Sequence, residues 1–237
     1  MNARQLFQAG RLDEAIEALG AEVRDNPTDA QRRAFLFELL CFAGQYDRAE
    51  KQLNVLGSGG RDAEMGALLY HAALHAERLR QEMFEKENFP LTSARVVGGT
   101  INGQAFESIT DADPRIGPRL EVFAAGQYMW LPFEHIETVR VEAPKKLRDL
   151  LWAPAIVRPA KTFKGLEMGE ALLPAIAPLT WRHPDSAVRL GRVTEWKALA
   201  NGDHAPIGQK MLLVDDEEFP ILELRELEIA HVPASST

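Results

Sequence analysis

The residues of this sequence with the means to bind a metal or attack a bond are six histidines, one cysteine and several carboxylate-rich turns. His71 and His75 stand four apart in "HAALH", a spacing that can put two imidazoles on one helix face. No glutamate follows the first of them and no third ligand is tied to the pair, so they read as packed or solvated side chains. His183 in "RHPDS" and His204 in "GDHAP" lie beside Asp185 and Asp203. With the acidic stretch Asp215 to Glu218 they offer the oxygen and nitrogen donors of a metal-dependent hydrolase, which is the alternative reading of this chain. Asp, His and Pro also suit turns for conformational reasons alone. "DADPR" (111–115) places Asp113 before Pro114, an ordinary way to open a turn. Ser108 and Ser186 lack the glycine setting of a nucleophile elbow. Cys41 falls in helical sequence as a small buried hydrophobe, and a single cysteine excludes an internal disulfide and a cysteine-based zinc site. There is no glycine-rich loop ending in Lys-Ser/Thr to cradle a nucleotide. The leading reading is therefore a protein that is no enzyme, with no cofactor and no metal.

What would position these residues is written in two grammars. Residues 1–90 contain only Pro27 and Pro90, and the remaining 147 residues hold the other twelve prolines and all four tryptophans. The boundary is expected near "ENFPLTSA" (87–94), giving a helical domain over 1–90 and a second domain over 91–237. In the first, "GRLDEAIEAL" (10–19) and "GQYDRAEKQL" (44–53) share Gly, Asp, Ala and Leu at a step of 34 residues. Gly10 and Gly44 suit the left-handed conformation after a helix end. Ala15 and Ala49 suit a close helix crossing, with Leu19 and Leu53 one turn further on the same face. Asp29 is placed to cap a helix over 29–43. Period and pattern resemble the tetratricopeptide repeat, here in two units closed by one long helix over 61–87. First helices of such units line a concave face suited to gripping a peptide or helix, so Gln31, Ala34, Glu38 and Phe42 are the expected partner-binding residues. On that reading charge reversal at Glu38 weakens binding and spares the fold.

In the second part, "INGQAF" predicts a hairpin turning on Asn102-Gly103. "PKKLRDLLW" predicts a short helix started by Pro144. "KMLLV" and "FPILELRELEI" predict strands around the acidic turn, with Leu222 and Leu224 alternating against Glu223 and Arg225. The sum is an α+β protein, all-α repeats followed by a compact module with an antiparallel sheet. Apolar content of 46% and charged content of 26% are those of a soluble globular chain. A net charge of −8, spread evenly, argues against nucleic acid and against anionic lipid as partners. "MNARQLFQAGRLDEA" has no signal-type apolar core, and "ALLPAIAPLTW" (171–181) is too short to span a bilayer, so the expectation is a cytoplasmic protein.

Several stretches in one order, "DADPRIGP", "YMWLPFEHI", "LRDLLWAPA", "RLGRVTEW" and "QKMLLVDDEEFPILELRE", following a two-repeat helical start, resemble the ImpE/TagJ (SciE-type) family. These are accessory proteins of bacterial type VI secretion systems. The resemblance implies a non-enzymatic adaptor that binds the amino-terminal amphipathic helix of the small contractile-sheath subunit. It also implies a link to the ClpV-type AAA+ ATPase that dismantles the sheath. It transfers no site residue, and beside the hydrolase a second alternative is a generic repeat scaffold unrelated to secretion.

Overall fold

Asp29 accepts a hydrogen bond from the Arg32 backbone N–H at 2.9 Å and caps a helix, as its position predicts. The first part holds α1 (Ala3–Gln8), α2 (Leu12–Asp25), α3 (Ala30–Phe42), α4 (Tyr46–Gly57) and α5 (Arg61–Glu85). The structure is a computed structural model that describes residues 1–90, 93–161, 163 and 169–231. Gly10 and Gly44 follow α1 and α3 with φ of 74° and 66°. Past each glycine an N–H reaches back to close the helix end, Arg11 to the Leu6 carbonyl and Gln45 to the Leu40 carbonyl, both at 2.9 Å. Ala15, Leu19, Ala49 and Leu53 are all buried in one helical core. The 34-residue step is thus two helical hairpins, with α5 packed along α4 as the expected closing helix.

The rest is mainly strands: β1 (Gly99–Ile101), β2 (Gln104–Phe106), β3 (Ile109–Asp111), β4 (Arg119–Ala124), β5 (Gln127–Pro132), β6 (Ile136–Val141), β7 (Trp152–Pro159) and β8 (Gly169–Pro174). A one-turn helix, α6 (Ser186–Arg189), precedes β9 (Glu195–Ala198), β10 (His204–Ile207), β11 (Met211–Val214), β12 (Glu217–Pro220) and β13 (Glu226–Ile229). Among the described residues the large sheet has the order β2-β1-β13-β6-β7-β8-β4-β5, and β12-β11-β3 form a smaller one. All of their pairings are antiparallel. The expected hairpin turns on Asn102 and Gly103 with φ of 50° and 82°. The acidic turn is centred on Asp215 and Asp216, also at positive φ.

Two local expectations are corrected. The helix expected from Pro144 is a 3-10 turn over Leu147–Leu150, because the Asp149 carboxylate accepts from the Lys145 and Lys146 N–H groups at 2.8 and 2.9 Å and holds those residues outside it. Leu222 and Leu224 do not alternate on an exposed strand. Ile221–Glu223 form another 3-10 turn after Pro220, with Leu224 fully buried, and that turn carries the chain from the small sheet to the large one.

Side chains alternate along the middle strands between two cores. Phe123, Trp152 and Leu172 join the helices, whereas Val122, Ala153, Ala171 and Leu173 pack with Ile109 and Leu212 of the small sheet. Helices and strands segregate between Glu85 and Gly99, but the helical core runs on into the sheet. Of the expected boundary stretch 87–94, Leu91 and Thr92 lie outside the described residues.

Candidate functional site

Asp111, Trp152 and Lys210, from three different sequence motifs, converge on one seam where the carboxy-terminal half of α5 meets the sheet. Arg80, 1% exposed, donates from Nε and Nη2 to the two Glu121 carboxylate oxygens at 2.7 and 2.9 Å, and from Nη1 to Glu77 at 3.1 Å. Its Nη2 also reaches the Ile176 carbonyl at 3.0 Å. Lys210, fully buried before β11, is in ion-pair contact with both Glu121 and Asp111. Trp152 Nε1 donates to Glu77 at 2.9 Å, and Gln81 Oε1 accepts from the Leu179 N–H at 2.8 Å and from Trp181 Nε1 at 3.2 Å. Burial alone would raise the Glu121 carboxyl, but Arg80 and Lys210 outweigh it and hold Glu121 far below the usual carboxylate range. At Asp111 burial wins. Lys210 and, more weakly, the Asp113 N–H at 2.9 Å compensate it in part while Glu121 repels it, so its pKa is pushed up to about 7.

A second set of contacts ties the sheet module to the repeats. Arg189 makes a two-pronged pair with Asp13 of α2 at 2.8 and 2.9 Å. Arg192 donates to the Phe7 and Gln8 carbonyls at the end of α1. Trp181 lies so close to Gly44 that a Cβ there would sit 2.5 Å from Cδ2 of the ring. Gly44 is therefore required twice, for its backbone turn and for the seat of Trp181.

The residues expected to grip a partner divide on α3. Gln31 is exposed and Ala34 half-buried, but Glu38 and Phe42 are only 8% and 3% exposed. Arg148 stands 3.6 Å from Glu38, and Phe42 borders a small internal void beside Trp181. The chain's own second module covers that end of the face. A charge reversal at Glu38 would consequently strike an internal contact, contrary to the expectation that the fold is spared. Cys41 is buried, as expected, and burial raises its thiol pKa well above the ordinary value.

The residues weighed as a metal site stay apart. His183 Nε2 faces Glu195 at 3.4 Å, and Asp215 accepts from the Glu107 and Ser108 N–H groups at 2.8 Å. His204 is on β10, opposite Ala198. Among the described residues no three His, Cys, Asp or Glu side chains gather as a metal site. No helix among them is long and apolar enough to cross a membrane.

What stands open is a groove of about 610 Å³ between the amino-terminal half of α5 and the outer face of the large sheet. Its wall is Leu69, Tyr70, Ala72 and Ala73. Its floor follows two cross-strand rows, Arg140–Ile156–Glu170 and Pro154–Leu172–Phe123. The Ala125–Gly126 turn closes one end, with Gly126 packed near Ala72. Met65 and Leu68 extend the apolar surface of α5 at 64% and 65% exposure. No sequence pattern singled out this groove, because its floor comes from four separate strands and only their pairing makes it.

Two helical hairpins of tetratricopeptide type, braced by an antiparallel sheet, define the class of this chain as a helical-repeat protein with an added α+β module. Residues 6–71 match the tetratricopeptide repeat model, and residues 103–228 match the model of the ImpE protein. The chain belongs to the ImpE family, as its motifs imply. It is 36% identical, over 96% of its length and 91% of the relative's, to the type VI secretion system accessory component TagJ of Pseudomonas aeruginosa. The crystal structure of protein VPA1032 from Vibrio parahaemolyticus has the same fold, with a TM-score of 0.84 over 98% of each chain at 23% identity.

Proposed function

We propose that this protein is a non-enzymatic accessory adaptor of a type VI secretion system. In the cytoplasm it holds the amino-terminal amphipathic helix of the small sheath subunit and so brings the sheath to a ClpV-type AAA+ ATPase. The accessory role follows the likeness to TagJ along nearly the whole chain. The observation that carries the binding role is the open apolar groove beside α5. Monomeric proteins keep contiguous apolar surface small unless something docks on it. Helix-in-groove recognition works by burying an amphipathic stripe in such a channel. An adaptor needs no chemistry of its own, because tethering raises the local concentration of one partner near the other.

The test is fluorescence anisotropy of the full chain with a labelled peptide copying the amino-terminal helix of the cognate small sheath subunit. Saturable binding at about micromolar Kd or tighter, lost when the peptide's apolar stripe is made polar, is the expected result. Absence of binding would remove the sheath helix as partner. Binding abolished by Ala34→Glu would instead locate the helix on the uncovered end of the α3 face, at Gln31 and Ala34.

A further inference from the structure

We infer that the groove between α5 and β6–β7–β8 seats an amphipathic α-helix whose apolar stripe is bordered by basic residues. The inference rests on the proposed helix-holding role and adds to it a seat and a charge. The occupant must satisfy its own backbone. β7 lies between β6 and β8, and β8 between β7 and β4, so the floor is made of interior strands whose N–H and C=O groups are spent within the sheet. An extended peptide laid on that floor would bury unpaired amides, whereas a helix carries its hydrogen bonds with it. The floor from β4 to β6 crosses four strands, about 14 Å at the usual strand spacing, which a helix of about ten residues spans.

The wall has matching geometry. Met65, Leu69 and Ala72 follow one another at helical spacing on α5, and the same stripe continues into buried Ala73 and Ala76. The groove is therefore the place where, among the described residues, the packing face of α5 runs on without a partner, beside a stretch of sheet face that also lacks one.

Charge selects the kind of helix. Of the ionic groups on the floor and rim, Arg140 is paired with Glu226 at 2.8 Å and Glu142 with Lys145. Glu170, level with Ile156 on the floor, has no ion-pair partner among the described residues. A lysine or arginine at the border of the incoming stripe meets that carboxylate, and the net charge of −8 favours the approach of a basic segment.

The test uses the full chain and two designed helical peptides with the same leucine stripe, one bordered by lysine and the other by glutamate. Anisotropy is expected to show the lysine peptide binding about fivefold more tightly, with Glu170→Gln removing most of that preference. Leu69→Glu and Ile156→Glu, both at exposed positions, are expected to weaken the lysine peptide about tenfold or more with unchanged thermal melting. Equal binding of the two peptides, or binding indifferent to both groove variants, overturns the inference. So does a dimer by light scattering that Leu69→Glu dissociates, because a second copy would then fill the groove. The sheath-derived peptide is measured alongside. Should it bind regardless of Leu69→Glu and Ile156→Glu, the groove is wrong and the adaptor role survives; should it fail while the lysine peptide binds in the groove, the groove survives and the sheath helix is not its occupant.

Discussion

The two halves of α5 invert the usual relation between polarity and burial. Its carboxy-terminal half buries Glu77, Arg80 and Gln81, while its amino-terminal half exposes Met65, Leu68 and Leu69. Charged side chains are rarely buried unless paired. Arg80 is paired three ways, and its partners come from α5 itself, from β4 and from the carbonyl of Ile176. A hydrophobic contact would tolerate sliding between helix and sheet, but this network is satisfied in only one arrangement, so it sets the angle at which the repeats meet the sheet. That fixed angle opens the groove at the other half. One half of the helix spends polarity on a unique geometry, and the other leaves apolar surface for something else to cover.

The hardest blow to this contrast is on the buried side. Arg80→Met leaves Glu121 and Glu77 without their common cation, and breaking a buried pair in this way costs about 3 kcal/mol or more. Urea unfolding should show that loss, and a shift below about 1 kcal/mol would mean that the seam does not hold the modules. Next in size is Gly44→Ala. Both repeat glycines sit at positive φ, which costs an alanine about 1 kcal/mol or more. At Gly44 the added methyl also meets Trp181, whereas the nearest atom to a Cβ at Gly10 is 3.7 Å away. Gly44→Ala is therefore expected to lower the melting temperature more than Gly10→Ala, and equal losses would show that Trp181 yields freely.

A pH series sharpens the same side. The Asp111 pKa is raised by burial from an ordinary 3.8 to about 7. The folded state thus keeps a proton that the unfolded chain has released, and the stability this contributes is complete at acid pH and lost as pH climbs through about 7. Glu121 is held low and stays ionised throughout that window, so it does not contribute. The urea midpoint should fall between pH 5 and 8 in the natural protein and fall less in Asp111→Asn; parallel pH profiles would remove Asp111 as the source. The smallest effect is expected on the open half. Leu68→Ser changes stability by no more than about 0.5 kcal/mol, measured by the same unfolding, and a larger loss would mean that Leu68 already has a partner within the chain.

Much of the first part was legible because its signals are local. Gly10, Gly44 and Asp29 act on the few backbone groups next to them, and the 34-residue step needs no knowledge of distant residues. The hairpin at Asn102-Gly103 was legible for the same reason. The 3-10 turn at Ile221–Glu223 was not, since an alternating Leu/Glu pattern is equally compatible with a strand and the outcome depended on where the chain had to cross between sheets. The face chosen on α3 failed to anticipate the chain's own coverage. Glu38 and Phe42 point where a partner would bind in a free-standing repeat, and here Arg148 and Trp181 are already there.

By itself the sequence determined the two helical hairpins, the long closing helix, the antiparallel character of the second part and the family. Each is encoded in spacing along the chain or in short motifs. Only the tertiary structure decided that Asp111, Glu121 and Lys210, scattered over a hundred residues, would meet Arg80 in one buried network. It alone also brought β6, β7 and β8 side by side to floor a groove against α5. The physical reason is that ion pairing and apolar burial act through space, at distances of a few ångströms that separation along the chain does not reveal.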